Sequence, residues 1–199
     1  MVQTITLPRY ISAEPQLMDF GADLRPALGG KQQRASRVGS RFALALTGLQ
    51  HMSDADARNL LAKLAKARTL GETVKTTWPQ KALSISVGSP KVFGGGQTGS
   101  QLIVDGFPTS TTLGLHGRFF SITVGSRSYL YMVTDDPTAD SGGKATLNIA
   151  PLLRTAPTDN ADLEFAHPVI EGFPDGMAIN WSVAFLKHSS IPITIVEAE

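Results

Sequence analysis

Residues 118–134 carry the clearest pattern in the chain. Phe120, Ile122 and Val124 alternate with Phe119, Ser121 and Thr123, and beyond Gly125-Ser126 the residues Tyr129, Tyr131 and Val133 share one side. Two runs of period two joined by a two-residue turn predict a β-hairpin, 118–124 paired with 128–134. A polar loop over 135–143 leads to a strand over 144–149 that stops at Pro151, because proline donates nothing to a ladder. Shorter runs predict strands at 91–93 and 101–104. Five short strands in one stretch suit a small closed barrel, since closure removes the edges that so short a sheet would expose.

The chain on either side reads differently. Thr4-Ile5-Thr6-Leu7 predicts a short strand limited by Pro8, and 41–47 predicts another, with Phe42, Leu44 and Leu46 facing one way and Ala43 and Ala45 the other. A helix is expected from Ser53, whose hydroxyl can accept from the Asp56 N–H while Asp54 and Asp56 favour the positive end of the dipole. Ala57, Leu60, Leu61, Leu64 and Ala67 recur at spacings of three and four, which packs one stripe on a sheet, and Gly71 is a C-terminal stop. Strands are expected at 72–78 and 82–87 around Pro79-Gln80. From Gly88 onward, Gly94, Gly95, Gly96 and Gly99 loosen the backbone, and we place a boundary there. Late strands are expected at 163–165, at 178–185 with Ile179, Trp181, Val183 and Phe185 as an apolar face, and at 193–196. These would return to the first sheet, making the barrel an insertion. The fold class is therefore mainly β (α+β), divided as 1–88, 89–167 and 168–199.

Composition adds few constraints. Of the 199 residues 42% are hydrophobic and 18% charged, ordinary for a folded domain. The absence of cysteine excludes disulfides, thiolate metal sites and a cysteine nucleophile. No window reaches the roughly 18 consecutive apolar residues of a membrane span, and the first residues lack the basic start and apolar run of a secretory signal, so membrane insertion and autonomous export are not expected. Charge is uneven: residues 1–81 hold 12 Lys/Arg against 6 Asp/Glu, and residues 82–199 hold 6 against 11. Opposite charges of this kind can meet between copies in a head-to-tail ring, or average out if folding interleaves the two parts.

The order of features from residue 114, a glycine-flanked approach, a short hairpin, the D-x-x-x-D-S-G-G loop Asp136 to Gly143, and a strand ending in Pro151-Leu152-Leu153-Arg154, resembles segments of tail proteins in long-tailed bacteriophages. The plan of the whole chain, strands, one helix, strands, an inserted small β domain and closing strands, is similar to the distal tail proteins of siphophages. That resemblance implies an antiparallel β-sandwich belt domain with one helix and an inserted five-stranded barrel like an oligonucleotide/oligosaccharide-binding fold. It implies a structural subunit of the virion tail, assembled in the host cytoplasm, whose belt closes a hexameric ring between the end of the tail tube and the tip or baseplate. Its partners would be further copies of itself and the neighbouring tube and hub proteins. The family has no catalytic signature, so no functional residue is carried over.

Gly94-Gly95-Gly96-Gln97-Thr98-Gly99-Ser100 follows part of a phosphate-binding loop, but Ser100 stands where the lysine that pairs with phosphate is needed. The loop 135–143 could offer oxygens to calcium, yet it lacks the alternating acidic spacing and distant bidentate Glu of such a site, and an Asx turn explains it with less. His51, His116, His167 and His188 show no zinc-ligand spacing. No nucleophile elbow or acid pair stands out, so neither catalysis nor a cofactor is expected. Phe119, Phe120, Tyr129 and Tyr131 could stack on bases, but residues 89–167 hold 5 Lys/Arg against 7 acids, the wrong sign for phosphate. No sequence-specific nucleic-acid partner is expected. The same platform could stack on sugars, which gives a carbohydrate-binding module at the host surface as the alternative function, with Phe119 and Tyr129 as glycan contacts. The basic stretch 25–41 supplies Arg34, Arg37 and Arg41 as candidates for charged contacts between subunits.

Overall fold

The structure is a computed structural model that describes residues 1–5, 12–47, 54–81, 83, 86–184 and 187–198. Among these the elements in chain order are β1 (Val2–Thr4), β2 (Ser12–Met18), β3 (Ala22–Leu24), β4 (Gln33–Ala35), β5 (Arg41–Thr47), α1 (Asp54–Leu70), β6 (Thr73–Thr77), β7 (Lys91–Val92), β8 (Gly99–Asp105), β9 (Phe119–Val124), β10 (Arg127–Val133), β11 (Ala145–Leu153), β12 (Leu163–Glu164), β13 (Val169–Pro174), β14 (Ser182–Ala184), β15 (Lys187–Ser190) and β16 (Ile193–Glu197). Among the described residues the fold is mainly β with one helix, as the alternation predicts.

One six-stranded sheet, ordered β1-β6-β13-β16-β5-β2, forms a platform. Every pairing in it is antiparallel except that of β1 with β6. Helix α1 lies on this sheet and buries Ala57, Leu60, Leu64 and Ala67, the expected stripe, with Leu61 partly buried beside it. Burying each of the two leucines contributes roughly 1.5–3 kcal/mol relative to exposure. Asp54 pairs with Arg58 one turn on at 2.9 Å, and Gly71 ends the helix at a φ of +66°, where a Cβ would be strained. The proposed cap Ser53 and the residues Thr6, Leu7 and Pro8 of the first expected strand lie outside the described residues.

The second six-stranded sheet, β12-β9-β10-β11-β8-β7, curls until its ends meet. Lys91 of β7 bridges Asp162 beside β12, and Val92 N–H donates to the Ala161 carbonyl while Asn160 N–H donates to Val92. The barrel encloses Val92, Leu102, Val104, Phe120, Ile122, Tyr131, Val133 and Leu147. The hairpin falls where alternation put it, with Val124 opposite Arg127 across Gly125-Ser126 and Gly125 at a φ of +62°. The expected five strands become six, because β12, read as a strand returning to the platform, closes the barrel instead. Strand β11 also runs through Pro151 to Leu153. Pro151 falls in the stretch, between Asn148 and Leu153, where pairing with β8 is interrupted, so its missing N–H breaks no rung there.

Three other expectations change. Of the strand expected at 82–87, the described residues Leu83, Ser86 and Val87 are not extended into a sheet, and Leu83 and Val87 pack against the barrel core. The strand expected at 178–185 shrinks to β14, which pairs only with β15; Trp181 is 54% exposed, Ile179 packs on the platform core, and Phe185 lies outside the described residues. Strand β13 has no counterpart in the sequence reading. Pro168, Gly172 and Pro174 make it look like a loop, yet it sits in the middle of the platform. Its glycine is required by close approach: a Cβ on Gly172 would lie 1.9 Å from the Val196 carbonyl oxygen.

In an ordinary strand, glycine to alanine gains about 0.5–1 kcal/mol. Gly172→Ala should reverse that sign and lower stability by about 1–3 kcal/mol through overpacking, read as a fall in the urea midpoint.

Candidate functional site

The described residues place chemistry in two regions, the junction between platform and barrel and a hairpin projecting from the platform edge. The junction follows from an incomplete ladder. Strand β10 pairs with β9 along its whole length but with β11 only at Met132 and Val133. The N–H groups of Ser128 and Leu130, on the side β11 has left, would be buried without partners. Two platform carboxylates take them: Ser128 N–H donates to Glu171 Oε2 at 3.0 Å and Leu130 N–H to Glu197 Oε1 at 2.6 Å. Both glutamates are 1% exposed. Each also serves its own sheet, since Glu171 accepts from the Thr73 hydroxyl at 2.9 Å and Glu197 from the Phe42 N–H at 3.1 Å.

Arg154, just past the end of β11, supplies the countercharge. Its guanidinium pairs with Glu197, and both side chains are almost fully buried. Burial pushes the Glu197 carboxyl above the usual carboxylate range, while Arg154 and the Leu130 and Phe42 N–H groups pull it back. Burial pulls the arginine down, but the hydrogen bond and charge of Glu197 more than restore it, so the guanidinium stays charged. Nε and Nη1 of Arg154 have no hydrogen-bond partner among the described residues. Instead the guanidinium lies 5.3 Å from the Tyr129 ring centroid and 5.5 Å from that of Tyr131, whose negative faces attract a desolvated cation.

Around this pair the contact is apolar and tied by amides. Phe119 packs 4.9 Å from Trp78 and 5.3 Å from Phe42 between ring centroids. Gln80 closes on the Phe119 backbone from both sides, accepting its N–H and donating to its carbonyl, each at 3.1 Å. Lys75 Nζ donates to the Ser128 hydroxyl at 2.7 Å. The glycan contacts expected at Phe119 and Tyr129 are therefore corrected: Phe119 is wedged between the two units, and Tyr129 is 7% exposed inside the barrel. Alternation identified which side each ring takes but not that both sides are covered.

The second region spans residues 19–38. Strands β3 and β4 pair only with each other, as a hairpin leaving the platform after its edge strand β2. Pro26 to Gly29 make its turn, with Gly29 at a φ of +76°. Of the three candidate arginines, Arg34 is consumed within this arm, paired with Asp19 and with Asp23 at 3.0 Å. Arg41 is held at its base, donating to the Gly39 carbonyl at 3.0 Å and lying 5.2 Å from the centroid of the Phe20 ring. Arg37 alone of the three has no ion pair or hydrogen bond among the described residues, and it lines a groove between the arm and residues 149–152 of β11.

The remaining sequence candidates resolve into structural roles. Asp159 accepts the Gly94 N–H at 2.8 Å, placing a carboxylate beside the glycine loop where a phosphate would need donors. Asp140 accepts from Gly142 and Lys144 N–H, an Asx turn that holds its carboxyl below the usual range, chiefly through the Lys144 bond. Asp135 accepts from the Asn148 amide and Asp136 from the Leu115 N–H, so the loop acids turn to separate donors. Among the described residues no three acids or histidines gather as metal ligands. Nor is any helix among them long and apolar enough to cross a membrane. The junction residues Glu171, Glu197 and Arg154 escaped sequence reasoning; the one available signal was Glu197 continuing the inward period of Ile193 and Ile195. In comparisons with known proteins, no family model matches the chain and the search of curated proteins gives no match.

Removing one member of the buried pair leaves an uncompensated charge. Glu197→Ala should cost about 3–5 kcal/mol in urea unfolding, whereas the double change Glu197→Gln with Arg154→Met, which removes both charges and keeps one carbonyl oxygen as acceptor for either Leu130 or Phe42, should recover only part of it. The Asp140 turn gives a pH test. Its folded pKa is lowered, so its contribution is present above the ordinary carboxylate range and lost as pH falls through the lowered value. Amide exchange at Gly142 and Lys144 should accelerate there, relative to Asp140→Asn, which lacks that transition.

Proposed function

We propose that this chain is a structural subunit of a long-tailed bacteriophage tail, of the distal tail type, whose platform closes a ring joining the tail tube to the tip or baseplate. The observation that carries the reading is the arm. A two-stranded hairpin is marginally stable alone in water, and this one leaves Leu24 and Leu28 57% and 101% exposed. Such a projection is suited to contact with another chain. The platform supplies the rest of a ring subunit: a sheet whose two edge strands differ, β1 at one end and β2 at the other, so that contacts between copies join unlike surfaces. The barrel is carried at a fixed angle by buried hydrogen bonds, as a part that must be repeated around a ring in one orientation requires. A hexameric ring and a place in the virion tail come from the resemblance in domain order.

Native mass spectrometry across protein concentration, with negative-stain images, tests the reading. A closed ring with a central hole is expected; a chain that stays monomeric both alone and with a tail-tube end would overturn it. Arg37→Glu should weaken assembly several-fold at low salt, and the difference should shrink toward 1 M salt, where the Debye length is about 3 Å. Arg34→Glu should instead disorder the arm, visible as faster amide exchange across residues 22–35.

A further inference from the structure

We propose that the arm of one copy docks on the turn formed by residues 173–181 of its neighbour, an inference that rests on the ring reading and names its contact. The arm has lost its acids to its own support, because Asp19 and Asp23 both pair with Arg34. What it offers outward is Leu24 and Leu28 together with Arg25 and Lys31, neither of which has an ion pair or hydrogen bond among the described residues. The leucines decide the class of partner. A nucleic-acid backbone would satisfy the cations and leave both leucines in water, whereas a protein surface that is apolar and acidic satisfies all four.

The chain carries an apolar surface that holds one carboxylate, enough to pair one of the two cations. Residues 173–181 contain no Lys or Arg. Within this short segment Phe173 (40%), Met177 (96%) and Trp181 (54%) are exposed, and the Asp175 carboxylate has no partner among the described residues. The turn is built rather than slack: Asp175 N–H donates to the Thr194 carbonyl, Gly176 takes a φ of +81°, Arg68 donates to the Pro174 carbonyl at 3.3 Å, and Ile179 anchors in the platform core. An exposed tryptophan and an unpaired carboxylate on one turn suit a partner segment that brings a cation together with apolar side chains, the cation pairing with the acid or sitting over the ring and the leucines packing on methionine. Arm and turn are different surfaces, so the contact is heterologous and propagates around a ring.

The absence of cysteine makes the test direct. Leu28→Cys and Met177→Cys are prepared separately, mixed under oxidising conditions, and resolved without reductant. A disulfide-linked dimer in the mixture but in neither single variant, and a covalent ladder from the double variant, are expected. Rings that assemble normally with no mixed disulfide would overturn the docking while leaving the ring reading standing. Failure of the unsubstituted chain to assemble, alone or with a tube end, would overturn both. Linkage of Leu28→Cys to itself would replace the docking with a two-fold contact between arms. As a second readout, Trp181→Ser should lower assembly at least tenfold without moving the Tm of the monomer.

Discussion

Two N–H groups on one side of β10 govern how this molecule is put together. Strand β11 leaves β10 early, and buried donors without acceptors cost about 1–3 kcal/mol each. The platform meets that demand with Glu171 and Glu197, and the need to hold two carboxylates in the dark then brings in Thr73, Phe42 and Arg154. One missing stretch of ladder therefore fixes the orientation of the barrel, the burial of an ion pair and the placement of two tyrosine rings.

Hydrogen bonds and packing divide the work at this junction. Phe119, Trp78 and Phe42 supply apolar area that tolerates small rotations, since tilted rings have broad minima. The carboxylates do not tolerate them, because a donor misaligned inside protein loses its bond with no water to replace it. Adhesion comes from the rings and angular precision from the glutamates.

The hairpin, the strand at 41–47 and the helical stripe were legible because the apolar residues of each recur with the period of its secondary structure. Strand β13 was hidden because Gly172, flanked in sequence by Pro168 and Pro174, imitates a loop, and its reason for being there is the Val196 carbonyl of a strand some twenty residues later. The roles of Phe119 and Tyr129 were half legible: alternation separates their sides, but nothing local says that a second unit covers the outer one. Arg34, Arg37 and Arg41 show the same limit. They look equivalent in sequence, and only the positions of Asp19, Asp23 and Phe20 distinguish two structural arginines from one without a partner among the described residues.

The barrel enters the chain between β6 and β13, which are antiparallel neighbours, with Thr77 opposite Val169 and Trp78 N–H donating to the Pro168 carbonyl at 2.7 Å. Topologically, some ninety residues occupy the place of a hairpin turn. Because the two attachment points already lie one interstrand spacing apart, about 4.8 Å, the platform is indifferent to what the loop contains, and loop-closure entropy grows only slowly with its length. A gene could exchange this barrel for a larger module, or for a short turn, without re-routing any platform strand. The two glutamates would then return to water as ordinary surface charges, leaving a site where a later insertion could be gripped again.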